Sequence, residues 1–486
     1  MARDPSATLT RDSSTPRRDG GAPPSSDTPV TLGLVIAWCR EDVGRLGEVL
    51  LAPSGTPGGW VELGRGSARE ADPPRVDPQR QRPGRNILAR PLDSPYLSHQ
   101  QLKLRAHGTR HLEVEQIGRC KLRHNGRLTR RARVVPGDTL ELVGELLLVC
   151  APRPERFPRP RAGLEVVHDF GEPDAAGFVG ESPAAWRLRS EIAFVARGGA
   201  HALIRGPSGS GKELVARAIH GDSGGPLVAR NAATLPPTLV DAELFGNARD
   251  YPNPGMAARP GLVGEADGGT LFLDEFAEMP HEVQTHLLRV LDAGEYQRLG
   301  EAAARRSRFR LVAATNRAPS ALREDVLARM PLRIQVPGLE ARREDIPLLV
   351  LHLMRRRVAE NPSLAGPYFD GEQLRITPRL VSALLRRRWA THVRELDALL
   401  WQAMMVHEDT LDLAPDAREA APPPVEAIEP AAPAVDPDTI PPAVIQACLD
   451  KHNGVQAQVW KALGLKSRFV LIRLIKKHNL TLTRRS

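Results

Sequence analysis

The chain has 486 residues, 41 % of them hydrophobic, four cysteines and a net charge of +9 at neutral pH. That length accommodates about three domains, and Cys39, Cys120, Cys150 and Cys448 form no CxxC or Cys/His cluster, which argues against a zinc-finger pattern or a disulfide scaffold. No apolar run reaches membrane-spanning length and the N-terminus lacks a signal peptide's apolar stretch, so the expectation is a cytoplasmic protein with no membrane partner and an anionic one.

In chain order, residues 1–29 are rich in Pro, Ser, Asp and Arg and predict a disordered tail. Short apolar runs broken by Gly and Pro over 30–152, among them Leu32–Trp38, Trp60–Leu63, Gln101–Leu104 and Leu140–Val149, predict a β-sandwich. A charged, proline-bearing linker is expected at 153–174. From 175 to 412 the runs Ala202–Ile204, Thr270–Leu273 and Arg310–Ala314 alternate with amphipathic helical patterns. That is an α/β domain to about 341, with a helical part after it. Residues 413–442 read as a stiff Pro/Ala-rich linker. The end, 443–486, is helical and basic, with nine Lys/Arg and no acidic residue after Asp450.

The chemistry concentrates in the α/β part. Gly206-Pro207-Ser208-Gly209-Ser210-Gly211-Lys212 follows a strand and opens a helix. Glycines let backbone N–H groups wrap a phosphate, the helix N-terminus adds positive potential, and Lys212 reaches the β- and γ-phosphates. The generic pattern has Ser/Thr where this chain has Glu213. A second run, Thr270-Leu271-Phe272-Leu273-Asp274-Glu275, is a buried strand ending in two carboxylates. One suits Mg²⁺ and the other an attacking water.

These runs, with ELFG, GEADGGTLFLDE, HLLRVLDAGEYQRLG, LREDVLARM, EARREDIPLL and VREL, resemble the AAA+ domain of the bacterial enhancer-binding proteins over about residues 177–405. Those proteins activate RNA polymerase carrying sigma-54. The resemblance implies ATP and Mg²⁺ as cofactors, Gly206, Gly209, Ser210, Gly211, Lys212 and Glu213 as the ATP loop, and Val179-Gly180 at the adenine. It implies Asp274 as metal ligand and Glu275 as catalytic carboxylate. Asn231 resembles the asparagine that holds that glutamate, Asn316 the first sensor and Arg394 the second. Arg323 and Arg329 resemble arginine fingers offered to a neighbouring subunit, so the implied working form is a homo-oligomeric ring, a hexamer. Thr391-His392 stands where the family has Gly-Asn.

The family's sigma-contacting GAFTGA loop aligns with Asp250-Tyr251-Pro252-Asn253-Pro254-Gly255, and no position matches. Tyr251, Pro252 and Asn253 are the candidate sigma-contacting tip. Residues 443–480 resemble a Fis-type helix-turn-helix, with Gly464-Leu465 as turn, Ser467 as cap and Arg468, Arg473, Lys476 and Lys477 available for duplex DNA. Val459-Trp460 replaces the family's two small residues. The order Gly64-Arg65, Leu97-Ser98, Asn125-Gly126, Gly137-Asp138 resembles a forkhead-associated domain, which implies phosphothreonine contacts from Arg65 and Ser98. That family's SRxH reads Ser98-His99-Gln100-Gln101 here, and its peptide-contacting asparagine falls at Cys120.

Three functions fit these features. One is an ATP-driven activator of sigma-54 polymerase. Another is a DNA-bound AAA+ regulator without sigma contact. The third is a phosphopeptide-sensing scaffold with a vestigial ATPase, against which the Asp274-Glu275 pair and the arginine set argue.

Overall fold

The computed structural model describes residues 29–52, 59–67, 74–159, 167–221, 223–236, 238–413, 441–451, 459–460, 463 and 468–478. The chain forms two compact units, 1–415 and 416–486. All but the last residue of the tail expected at 1–29 and most of the linker expected at 413–442 lie outside the described residues.

The first unit begins with two antiparallel sheets, one of eight strands and one of four. The long strands Val30–Cys39 and Leu146–Pro154 lie at the centre of the larger sheet and pair from Val30↔Pro154 to Cys39↔Leu146. Alternate residues point to opposite faces. Leu32, Leu34 and Ile36 therefore meet Val61, Leu63, Leu102 and Leu104 of the smaller sheet in one core. Val35 and Ala37 point the other way and are also fully buried. What covers them is helical: Ile346–Glu360 and Pro378–Arg386 bring Leu348, Leu351 and Leu384 into a single cluster with Val35, Val49 and Val149. A sheet buried on both faces explains why the Val30–Cys39 run is almost wholly apolar.

Polar contacts fix the same joint. Trp38 Nε1 donates to the Ile376 carbonyl (2.9 Å), Val43 N donates to Gln373 Oε1 (2.7 Å), and Thr139 Oγ1 and Ser382 Oγ lie 3.1 Å apart. The described parts of 153–174, expected as a linker, are not a free tether. Arg153 belongs to the last strand and is 1 % exposed. Glu172 pairs with Arg355 and Asp174 with Arg189.

A five-stranded parallel sheet follows, in the order Leu227–Asn231, Thr270–Asp274, Arg310–Thr315, Ala202–Arg205, Leu332–Gln335. Helices Pro183–Gly198 and Lys212–His220 pack on one face, and His281–Ala293 with shorter helices on the other. In such open sheets ligands bind beyond the strand carboxyl ends. Arg205, Asn231, Asp274 and Thr315 all end their strands on that edge. Helix His392–Val406 completes the helical part.

The second unit contains helices Pro442–Lys451 and Arg468–Lys477. Ile445, Leu449, Val459, Leu471 and Leu474 form its core, so Val459 fills an apolar position there. Arg473, Lys476 and Lys477 are exposed, while Gly464, Leu465 and Ser467 lie outside the described residues.

Candidate nucleotide site

The strand Ala202–Arg205 feeds Gly206 to Gly211, and the helix starts at Lys212. Gly209 and Gly211 hold φ values of 72° and 100°, the left-handed region that glycine enters without steric cost. Space matters as much as angle here: a Cβ on Gly209 would lie 2.2 Å from the Thr391 carbonyl oxygen. The loop is thus closed from above by the start of the last lid helix. Val393 N donates to Gly209 O (3.1 Å), and Arg394 Nη1 reaches Ser208 Oγ at 3.4 Å.

Lys212 is 6 % exposed. Its ammonium donates to the carbonyls of Gly206 (3.3 Å) and Pro207 (3.4 Å) and lies 3.8 Å from Glu275 Oε1. Ser210 Oγ is buried without a hydrogen-bond partner among the described residues. A buried ammonium with long contacts and an orphaned hydroxyl, at a helix N-terminus ringed by glycines, form a cradle suited to a phosphate chain. Asp274 ends the strand Thr270–Asp274, which Arg310–Thr315 separates from Ala202–Arg205, and its Oδ1 accepts from Glu275 N (2.9 Å). Glu275 is bent into the left-handed region, φ 49°, which turns its carboxylate toward Lys212.

Other sequence candidates stand as follows. Asn231 pairs in register with Asp274, but its Oδ1 accepts from Ala233 N (2.9 Å) and does not hold Glu275. The local turn that follows its strand captures the side chain. Asn316 follows Thr315, whose carbonyl accepts from Gly206 N (3.2 Å), and is exposed. Glu213 points out of the cradle to Arg217 (2.8 Å) on the helix surface. Arg323 is paired with Asp325 and Arg329 with Asp292. Neither arginine touches the cradle of its own chain.

Sequence reasoning expects Val179-Gly180 at the adenine but misses the residues that hold the strap at 178–182. Val179 is buried, and its carbonyl accepts from Arg342 Nη1 (3.2 Å). Glu181 N and Ser182 N both donate to Asp345 Oδ1 (2.8 and 2.9 Å), and Ser182 Oγ donates to Asp345 Oδ2 (2.6 Å). A Cβ on Gly180 would sit 2.5 Å from Asp345 Oδ2, so only glycine fits against that carboxylate. Burial pushes the Arg342 guanidinium below its ordinary pKa. His392, also left-handed at φ 47°, accepts from Leu339 N (3.1 Å) and ties the lid to the same segment. The run EARREDIPLL carries the family resemblance, but nothing in its sequence marks Arg342 and Asp345 as the residues that hold the strap.

The loop at 250–255 is a closed turn. Asn247 Nδ2 donates to the carbonyls of Ala248, Tyr251 and Ala257, and Gly255 N donates to Asp250 Oδ1 (2.8 Å). The Tyr251 ring lies over Gly300, where a Cβ would meet it at 2.4 Å.

In the N-terminal sheets, Arg65 and Ser98 come together. Arg65 N donates to the Ser98 carbonyl (2.9 Å), while Ser98 Oγ accepts from Arg119 N (2.9 Å). Asn125 Oδ1 accepts from Thr139 N (3.0 Å), a turn-building role. His107, His111 and Glu113 gather ligand atoms within 4.8 Å on one hairpin. Arg105 Nε donates to Glu113 (2.9 Å) and Arg133 approaches His111 Nδ1 (3.4 Å), so a cation there would face two guanidinium groups.

A family model described as the sigma-54 interaction domain matches residues 178–337. Over 314 residues the chain is 36 % identical to the transcriptional regulatory protein ZraR of Escherichia coli (strain K12), covering 61 % of this chain and 68 % of that one. It is 38 % identical over 277 residues to the DNA-binding transcriptional regulator NtrC of Bradyrhizobium sp., covering 54 % of each chain. A crystal structure of NtrX from Brucella abortus in complex with ADP aligns with 62 % of this chain and 70 % of that one, at 30 % identity and a TM-score of 0.44. Among the described residues no helix is long and apolar enough to cross a membrane.

Proposed function

Because the chain belongs to the family of transcriptional regulators that carry a sigma-54 interaction domain, we propose that it is an ATP-hydrolysing, DNA-bound regulator of that type, working as an oligomeric ring. The observation that carries this reading is the Lys212–Glu275 cradle, a buried ammonium and a strand-end carboxylate 3.8 Å apart beneath the lid. Lys212 and the loop N–H groups bind the phosphates of ATP. Asp274 is the residue that would hold Mg²⁺, which would supply charge neutralisation to the phosphates. Glu275 orients and polarises the attacking water. Arg394 senses the γ-phosphate from the lid.

Charge that develops on the transferred phosphoryl group is stabilised by Arg323 and Arg329 of an adjacent protomer, so hydrolysis follows assembly, with a hexamer as the expected ring. For that, Arg329 leaves Asp292, an exposed pair that water replaces readily. The basic segment 443–486 binds DNA through phosphate contacts from Lys476 and Lys477 and base readout from Arg468 and Arg473. The N-terminal sheets act as a forkhead-associated-like module, with Arg65 and Ser98 as the phosphothreonine contacts.

Replacing Glu275 by Gln should leave ATP binding near wild type and slow turnover by about 100-fold or more. Lys212→Ala should abolish binding. Wild-type turnover in Glu275→Gln would remove Glu275 from the reaction.

One observation favours the reading without sigma contact. The 250–255 loop is tied to Asn247 and packed on Gly300, so it lacks the freedom of a tip that must rise from a ring.

A further inference from the structure

Two arginines of the N-terminal sheets reach into the nucleotide site's framework. Arg153 Nη1 donates to the Glu181 carbonyl (3.1 Å), and its Nη2 lies 3.6 Å from Glu344 Oε1. Arg82 Nη2 donates to Glu181 Oε1 (2.7 Å), and its Nη1 donates to the His168 carbonyl (2.6 Å). Arg153 and Glu181 are 1 % and 2 % exposed, and Arg82 and Glu344 are also buried. The remaining Glu181 oxygen accepts from Trp186 Nε1 (2.9 Å). Glu181 and Glu344 are chain neighbours of Gly180 and Asp345, the pair whose close fit sets the strap. A cavity of about 710 Å³ joins the same parts: Gly137, Cys150 and Pro152 from the sheets, Pro183 from the strap helix, Pro207 from the phosphate loop and Gly338 below the lid.

We propose that Arg153 and Arg82 are positioning residues for nucleotide binding: the N-terminal sheets set the strap at Val179-Gly180 and thereby the affinity for adenine nucleotides. This rests on the nucleotide reading above. The physical reason is the cost of unpaired buried charge. With the sheets seated, Glu181 and Glu344 have guanidinium partners. With the sheets displaced, both carboxylates lose them, and the strap relaxes toward water. Burial already holds the Glu344 carboxyl above the usual range despite Arg153, so the pair has little reserve. The coupling is reciprocal: nucleotide that orders the strap also holds the sheets in place. Any ligand of the sheets that shifts them then reads out as a change in nucleotide affinity.

The test uses the full chain, titrated with a fluorescent ADP analogue and assayed for ATP turnover. The variant Arg153→Met leaves the Glu344 carboxylate buried without its guanidinium. We expect it to weaken ADP binding about tenfold and raise KM similarly, with kcat within about twofold. Arg153→Met/Glu344→Gln, which also removes the orphaned carboxylate, and Arg153→Lys, which keeps the positive charge, should each recover part of the loss. Arg82→Gln, which takes a guanidinium from Glu181, provides a second variant with the same expected direction should Arg153→Met not fold. Wild-type affinity in a folded variant, alongside lost binding in Lys212→Ala, overturns the proposal alone. ADP binding that survives Lys212→Ala overturns the nucleotide reading and the proposal with it.

Discussion

His168 shows how a single side chain couples this joint to pH. Its ring stacks on Trp186 at 5.4 Å, and its Nε2 is buried without a partner among the described residues. Burial first, then Arg189 and Arg82, pull its pKa from an ordinary 6.5 to about 4. The unfolded chain takes up this proton at the higher value and the folded chain only at the lower one. Stability from His168 is therefore complete above pH 6.5 and is lost as pH falls from there toward about 4. Melting temperatures of wild type and His168→Gln should converge across that window as pH falls. A constant difference between the two would show that the ring does not titrate on unfolding. Such a residue could not be singled out from sequence, because a lone histidine in a charged stretch carries no periodic signal. Asp274 and Glu275 could, because a wholly apolar strand ending in two acids is rare and chemically specific.

At the scale of elements, the strands of the parallel sheet and the helix after the phosphate loop were legible from apolar runs bounded by glycine. So was the pairing of two sheets in the N-terminal region, from short alternating segments. The covering of the larger sheet by lid helices was not. Val35 and Ala37 look like ordinary strand residues, and only the finished packing shows that both faces are dry. The expected linker at 153–174 failed for a related reason: arginine and proline there read as solvated, yet Arg153 is buried between two carboxylate-bearing segments. The 250–255 loop was legible as stiff from Pro252 and Pro254, while its anchoring by Asn247 was not. Grafting the sequence GAFTGA in place of residues 250–255 should leave ATP turnover intact, because the loop does not touch the cradle. The graft should raise open-complex formation on a sigma-54 promoter above a low native level. Robust open-complex formation by the native chain would contradict that expectation.

For the whole molecule, the proposed sensing module, ATPase core and DNA-binding end make one device only if the core works in an assembly. The arginines that would complete a neighbour's site are held by acids of their own chain, Arg323 by Asp325 and Arg329 by Asp292. On the proposed function, an isolated protomer has a phosphate cradle without the charge that would complete it. The most direct test of the account is ATP turnover per protomer across protein concentration, with nucleotide binding measured in parallel. The account predicts that turnover rises steeply as protomers assemble, and that Arg329→Ala loses turnover by about 100-fold or more while binding ATP normally. Full turnover in a strictly monomeric preparation would contradict it.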